Sequence, residues 1–486
     1  MIALKLNYKK LFVGILTIAL VSCSDPWGDR QSDDANLNVS LTEAITKTAE
    51  TSKFAELLVK TGYDKVLSES KSYTVFAPTN DAMALVDASI LNDPIKLTFF
   101  VQNHIALTAY SSVRDKASEK IKMLSEKYLV FKGSTTIDDA TIVTADKYTA
   151  NGVFHIINKT LTPKQNIWQY VNGLTTTSAM SKYLVSLNEL NIYKADSIAK
   201  LNPIPGKYAD SLTNCYLRNV YNLNNEKNSY TLFLMEDAGY STEVDKLKPY
   251  LIKNSVARTD TYSSYFTVRD MAFPKAYLPN ELPATLTTRF GVTVPIDKIQ
   301  IVGTPIVLSN GIIYRIKKVD VPLTNRLVTT KIEGESTNWY SPGTSTARSK
   351  ILYRDVKDPF GFLYNDIVVK NSGIANFMLN YSATDVYSTT YKVYWRSVND
   401  LLTTVFQQRL LIGTVVRNNI IYPLEAIKDF GYKDVPVKLY DEVYLGDFTL
   451  LQAGNIDMIS LVGANSTTNG TNQMALDYLK FVPVVK

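Results

Sequence analysis

The sequence predicts a multidomain α+β protein: two α/β modules followed by an all-β sandwich. Three observations carry this. The chain has 486 residues, and at roughly 100–200 residues per domain that length suggests about three domains. A strand-then-helix string followed by an Asn-Gly strand occurs at 73–83 with 151–161 and again at 230–240 with 310–319, a period too long for a solenoid. Beyond Pro322, short alternating strands separated by turn signals take over.

Composition narrows the function classes. Hydrophobic residues make up 45% and charged residues 20%, which is ordinary for globular domains. Of the formal +6 charge, Lys5, Lys9 and Lys10 precede Cys23, so the remainder carries 49 basic and 46 acidic residues. That near balance gives no electrostatic case for nucleic acid. The 31 Tyr suit β-strands and wet binding surfaces. Cys23 and Cys215 are the two cysteines, and His104 and His155 the two histidines. A disulfide framework and a Cys-based zinc site are excluded, and a His-rich metal site or a Ser-His-Asp triad has little to draw on. The sequence holds no Gly-rich phosphate loop, no His-Glu-x-x-His and no Gly-x-Ser-x-Gly. The expectation is a protein with no catalytic residues, no metal and no cofactor.

The first 22 residues read as an export signal. The three lysines form a basic start, and 11–21 (LFVGILTIALV) forms an apolar run, shorter than the roughly 20 residues of a membrane span. Leu20-Val21-Ser22-Cys23 resembles the bacterial lipobox, which implies acylation of Cys23 and a stable lipid anchor. The polar, acidic stretch 23–36 reads as a flexible tether. It is similar to the segment that sends lipoproteins of Bacteroidetes-type bacteria to the cell surface. The expected location is therefore the outer membrane, lipid-anchored and surface-exposed, with a periplasmic face as the alternative.

The first module spans 37–163. Leu41 to Tyr63 shows helical spacing with a break near Thr51-Ser52, Ser40 or Thr42 as N-cap and Gly62 at the C′ position. Tyr73 to Pro78 is a short strand, after which Thr79 or Asn80 caps a helix. Asn151-Gly152 is a turn dipeptide leading into the alternating strand Val153 to Ile157. The string Thr74, Phe76, Ala77, Pro78, Thr79, Asn80 resembles the first signature of fasciclin domains. Asn151, Gly152 and His155 resemble the second, with Asn158 in place of the usual Asp, and Asn103-His104-Ile105 matches a short motif between them. The resemblance implies a binding or adhesion module without a shared active site, and makes these residues structural. His104 and His155 are expected as hydrogen-bonded core residues rather than metal ligands.

The second module, 166–323, resembles a degenerate copy. Leu-Met-Glu replaces the Ala-Pro-Thr core, and Tyr314 stands where His155 does. The third, 328–486, holds seven or more short strands, which suggests a β-sandwich. Its closing string Ala475 to Pro483 is similar to the last strand of galactose-binding-type jelly rolls, an architecture shared by many carbohydrate-binding modules. A sugar site needs exposed aromatics beside polar groups, and the candidates are Trp339, Tyr340, Tyr394, Trp395 and Arg396. Trp339-Tyr340 is placed in a Ser/Thr/Gly-rich loop at 335–348, and Trp395 has a competing place in the core. The leading expectation is a surface lipoprotein that binds an extracellular glycan or protein in adhesion or nutrient capture. The alternatives are a structural accessory subunit of a TonB-dependent uptake complex and, more remotely, a glycan hydrolase.

Overall fold

The computed structural model describes residues 35–69, 72–112, 118–187, 214–413, 415–417, 420–422 and 427–486. The expected leader, Cys23 and the expected tether as far as residue 34 lie outside the described residues, while its last two residues open the short helix Ala35–Asn38. Among those described, no helix is long and apolar enough to cross a membrane. The chain forms two compact units, Met1–Asn166 with Asn225–Asn228, and Ile167–Asn224 with Ser229–Lys486.

In the first unit the expected long helix divides where the pattern breaks. Leu41–Lys47 is capped by Ser40, whose side chain accepts the Glu43 N–H, and Ser52–Thr61 ends at Gly62 in the left-handed conformation. Thr79, rather than Asn80, caps Asn80–Ala84. A seven-stranded sheet runs in the order Ile105–Ala106, Tyr73–Pro78, Gly152–Ile157, Ala140–Thr149, Thr136–Ile137, Tyr128–Lys132, Glu119–Lys122. Its second and third strands, Tyr73–Pro78 and Gly152–Ile157, are parallel and in register from Tyr73↔Gly152 to Pro78↔Ile157. Two signatures distant in sequence thus become neighbours. Side chains alternate across the sheet: Val75, Ala77, Phe154 and Ile156 join the helix-side core, and Phe76 and Ile157 join Ile121 and Phe131 on the other face.

The second unit opens with the same device. Tyr230–Met235 and Gly311–Ile316 pair in parallel, from Tyr230↔Gly311 to Met235↔Ile316, within a four-stranded sheet completed by Ile306–Leu308 and Ala272–Phe273. Gly152 and Gly311 occupy equivalent places. A Cβ there would lie 2.2 Å from the Tyr73 carbonyl in the first copy and 2.0 Å from the Tyr230 carbonyl in the second, so the close strand approach requires glycine.

The rest of this unit is a β-sandwich. One sheet orders Thr330–Glu333, Tyr478–Pro483, Thr390–Arg396, Val443–Thr449, and another orders Trp339–Ser341, Met378–Val386, Gly454–Gly463, Phe406–Ile412, Lys428–Val435. A third joins Ile351–Lys357, Leu363–Val369 and Met474–Leu476. The closing string, expected as one strand, is two: Met474–Leu476 pairs with Leu363–Val369, and Tyr478–Pro483 pairs with Thr330–Glu333 and Thr390–Arg396. The break falls at Asp477, whose N–H donates to the Arg396 carbonyl at 2.8 Å.

The degenerate module keeps a core of its own around Leu232, Phe233, Ile313 and Tyr314, while its Leu247, Tyr250, Leu251 and Phe266 join the sandwich core at Tyr387, Tyr391 and Trp395. Arg326, in the connecting helix Leu323–Arg326, is 3% exposed. Its guanidinium donates to Asp270 at 2.6 Å, Glu243 at 3.1 Å and the Phe266 carbonyl at 3.1 Å, and its carbonyl accepts from the Tyr387 hydroxyl at 2.9 Å. Removing one member of such a buried group leaves charges uncompensated. Arg326→Met is expected to destabilise the second unit by about 3 kcal/mol in chemical denaturation. The triple change Arg326→Met, Glu243→Leu, Asp270→Leu recovers most of that loss. A single-variant loss below about 1 kcal/mol would show that the network carries little.

Candidate functional site

The fasciclin-type residues of the first unit form a hydrogen-bonded frame. Asn151 accepts the Leu41 N–H at 2.9 Å and donates to the Leu67 carbonyl. Thr74 donates to the Thr108 carbonyl at 2.6 Å and accepts the Tyr110 N–H at 2.7 Å. Asn80 donates to the Ala49 carbonyl at 2.9 Å and accepts the Lys53 N–H at 3.0 Å. Ala77 and Pro78 are buried in the strand Tyr73–Pro78. Asn158, in place of the usual acid, still accepts the Thr141 N–H at 2.8 Å.

Both histidines are locked. His104 is fully buried, with Nδ1 at 2.8 Å from the Phe100 carbonyl and Nε2 accepting the Leu161 N–H at 2.9 Å. His155 stacks on Phe76 at 5.2 Å, places Nε2 2.9 Å from the Tyr110 carbonyl and accepts the Asp146 N–H on Nδ1. Both ring nitrogens of each are engaged, and among the described residues no cluster could hold a metal ion.

The second copy repeats the Asn and Thr parts of this frame and changes the ring residue. Asn310 accepts the Ile167 N–H at 2.9 Å and donates to the Leu223 carbonyl at 2.8 Å. Thr231 donates to the Lys275 carbonyl at 2.7 Å and accepts the Tyr277 N–H at 2.9 Å. Tyr314 stacks on Phe233 at 5.5 Å and donates to the Tyr277 carbonyl at 2.7 Å. Tyr314 therefore takes over the bond that His155 makes, which marks both as structural.

A candidate site lies in the sandwich: a cleft of about 690 Å³ lined by Arg396, Asp358, Asp477, Glu442, Phe360 and Phe362, among others. In Thr390–Arg396, period-2 alternation turns Tyr391, Val393 and Trp395 inward. Trp395, a sequence candidate for ligand contact, is 1% exposed and belongs to the core. Arg396 emerges on the opposite face, where it donates to Asp477, to Asp358 at 3.2 Å and to the Tyr440 carbonyl at 2.7 Å, with its guanidinium 4.4 Å above the Tyr364 ring.

Tyr394 lies beside the cleft rather than in its lining, 5.3 Å from Tyr444 and under the Lys480 ammonium. Trp339 and Tyr340 are not in a loop. They form an edge strand paired with Met378–Val386 in a different sheet and do not line the cleft.

The rim is a turn that sequence reasoning passed over. Asp358 is buried and accepts the N–H groups of Phe360 and Phe362, each at 2.9 Å, while its own N–H donates to the Phe362 carbonyl at 2.9 Å. This fold-back leaves Phe360 76% and Phe362 70% exposed, with Phe360 edge-on to Tyr440 at 6.5 Å. The readable signal was Asp-Pro-Phe-Gly-Phe at 358–362, in which turn chemistry leaves the two Phe no place in a strand.

Burial pushes the Asp477 carboxyl up from its ordinary value against the pull of Arg396. Burial also acts upward on Glu442, but hydrogen bonds from Lys480 and Tyr478 outweigh it and hold Glu442 low.

The Fasciclin domain family model matches residues 49–163. A Synechocystis sp. protein, Protein sll1483, is 30% identical over 108 residues, covering 20% of this chain and 59% of that relative's length. Similar solved structures include the FAS1 domain pair of the insect cell adhesion molecule fasciclin I, at 16% identity and a TM-score of 0.23, covering 57% of this chain and 99% of that one. The CBM36-1 domain of a multidomain xylanase from the hindgut metagenome of Trinervitermes trinervoides matches at 18% identity and a TM-score of 0.21, covering 33% of this chain and all of that one.

Burial lowers the His104 pKa from 6.5 to about 4 and depresses that of His155 too. The folded state keeps His104 neutral while the unfolded chain takes up protons below 6.5, so this contribution to stability is full above pH 6.5 and is lost as pH falls toward 4. Ring-proton NMR resolves the two histidines. It is expected to show His104 unprotonated down to about pH 4, and a midpoint near 6.5 would refute the buried, doubly bonded ring. Residues 49–163, which the Fasciclin domain model matches, form a fasciclin-like α/β domain.

Proposed function

We propose that the chain is an exported, lipid-anchored binding protein of the outer membrane. In this reading the fasciclin domain serves adhesion, and the sandwich cleft takes an extracellular glycan. The observation that carries the reading is the cleft rim. Phe360 and Phe362 stand exposed beside Arg396 and carboxylates that are fixed by ion pairs and backbone donors. Exposed aromatic faces next to positioned polar groups suit the apolar face and hydroxyls of a sugar ring. The fasciclin domain supports an adhesive role.

A binding role is preferred to hydrolysis because Asp358 and Asp477 both engage Arg396 and Glu442 engages Tyr478 and Lys480. The surface location rests on the leader and Cys23. A second reading, accessory subunit of a TonB-dependent uptake complex, draws on exposed Val59, Leu85 and Ile95 in the first unit, at 59%, 87% and 82%.

Adhesion of cells carrying the protein to a panel of immobilised glycans tests the whole proposal. Wild-type cells are expected to adhere to at least one glycan. Cells with Phe360→Ala and Phe362→Ala are expected to display the protein and lose adhesion, whereas cells with Cys23→Ser are expected to shed it. Adhesion unaffected by the Phe changes would place the ligand elsewhere.

A further inference from the structure

The cleft has an uneven charge. Six carboxylates line it against two cations, Lys331 and Arg396. Arg396 is shared by Asp358 and Asp477, Lys331 pairs with Glu333 at 2.9 Å, and Glu442 takes Lys480. Three cations therefore face six acids, and Glu335 and Asp441 stand outside these pairs.

Two lining residues carry a buried polar atom without a partner. Among the described residues, Glu335 Oε2 and the hydroxyl of Tyr364 have no hydrogen-bond partner, and Tyr364 is 8% exposed in the cleft wall. A buried polar group without a partner is costly unless a ligand supplies one. The same cleft is lined by Phe360 and Phe362, whose ring faces attract cations as well as C–H surfaces.

From this combination we infer that the cleft selects saccharides bearing protonated amino groups, such as a de-N-acetylated hexosamine oligomer. The inference rests on the glycan reading above and specifies its ligand. An ammonium seated beside Glu335 and Asp441 offsets the negative excess, and the sugar's C–H face covers Phe360 and Phe362. Acetylation removes the charge and leaves Glu335 without its counterion. An anionic uronate sugar meets like charge and is rejected.

Titration calorimetry on the full chain in mild detergent, at mildly acidic pH, tests this with three probes: a glucosamine oligomer, the matching N-acetylglucosamine oligomer and a lysine oligomer. The glucosamine oligomer is expected to bind about tenfold or more tighter than its acetylated form. Glu335→Gln is expected to abolish that preference, and Phe362→Ala to weaken binding of both sugars. Added salt is expected to weaken the glucosamine oligomer more than the acetylated one. Equal or tighter binding of the acetylated sugar, still dependent on Phe362, overturns the amine preference and leaves the glycan reading intact. Binding of the lysine oligomer alone, or of no probe, overturns both.

Discussion

The guanidinium of Arg326, enclosed by Glu243, Asp270 and the Phe266 carbonyl, sets the geometry of the second unit. An arginine removed from water to this extent needs acceptors and counter-charges close by, and both terminal nitrogens have them although Nε has no partner among the described residues. That requirement fixes the connecting helix against Val256–Val268 and Asp237–Leu247. Because the Arg326 carbonyl also takes the Tyr387 hydroxyl, the sandwich is tied to the same point. Further bonds repeat the link: Ser388 donates to the Tyr250 carbonyl at 2.7 Å and Ala453 to the Ile252 carbonyl at 2.8 Å. The apolar residues around these bonds form one core. The cleft is therefore presented by a continuous scaffold rather than by a domain on a hinge.

The internal repeat shows what such a scaffold preserves. In both copies an Asn side chain ties a helix start to the strand entry, a glycine lets two parallel strands approach, and a Thr hydroxyl holds the crossing loop. A ring stacked on a Phe then bonds a loop carbonyl, and it is His155 in one copy and Tyr314 in the other. The backbone carbonyl needs a donor, and imidazole N–H and phenol O–H both supply one. The chemistry of the bond is kept while the residue changes, which is why the frame outlasts its motif.

Much of this was legible in the sequence. Helical spacing with a break near Thr51, the left-handed stop at Gly62 and the Asn-Gly turns are local signals, and each appears where local physics puts it. The parallel pairing of distant strands was less accessible, since only the repeat hinted that the two strings belong together. In the sandwich, alternation along Thr390–Arg396 gave the right faces but not which face meets solvent, so Trp395 entered both as a ligand candidate and with a competing place in the core. Trp339 and Tyr340 looked like loop residues because Ser, Thr and Gly surround them, and a short edge strand offers too few residues for alternation to show. The division of the closing string at Asp477 depends on its bond to Arg396, a long-range pairing that no local pattern announces. The rim was spelled out in Asp-Pro-Phe-Gly-Phe, but its meaning depends on a buried Asp358 that accepts two backbone N–H groups.

The most direct test of the account is a crystal structure of the full chain with the saccharide that binds best in solution. The account predicts electron density for sugar rings against Phe360 and Phe362, within hydrogen-bond reach of Glu335 and over Arg396. Density for the sugar elsewhere, with the cleft side chains unmoved and free of ligand, would contradict it.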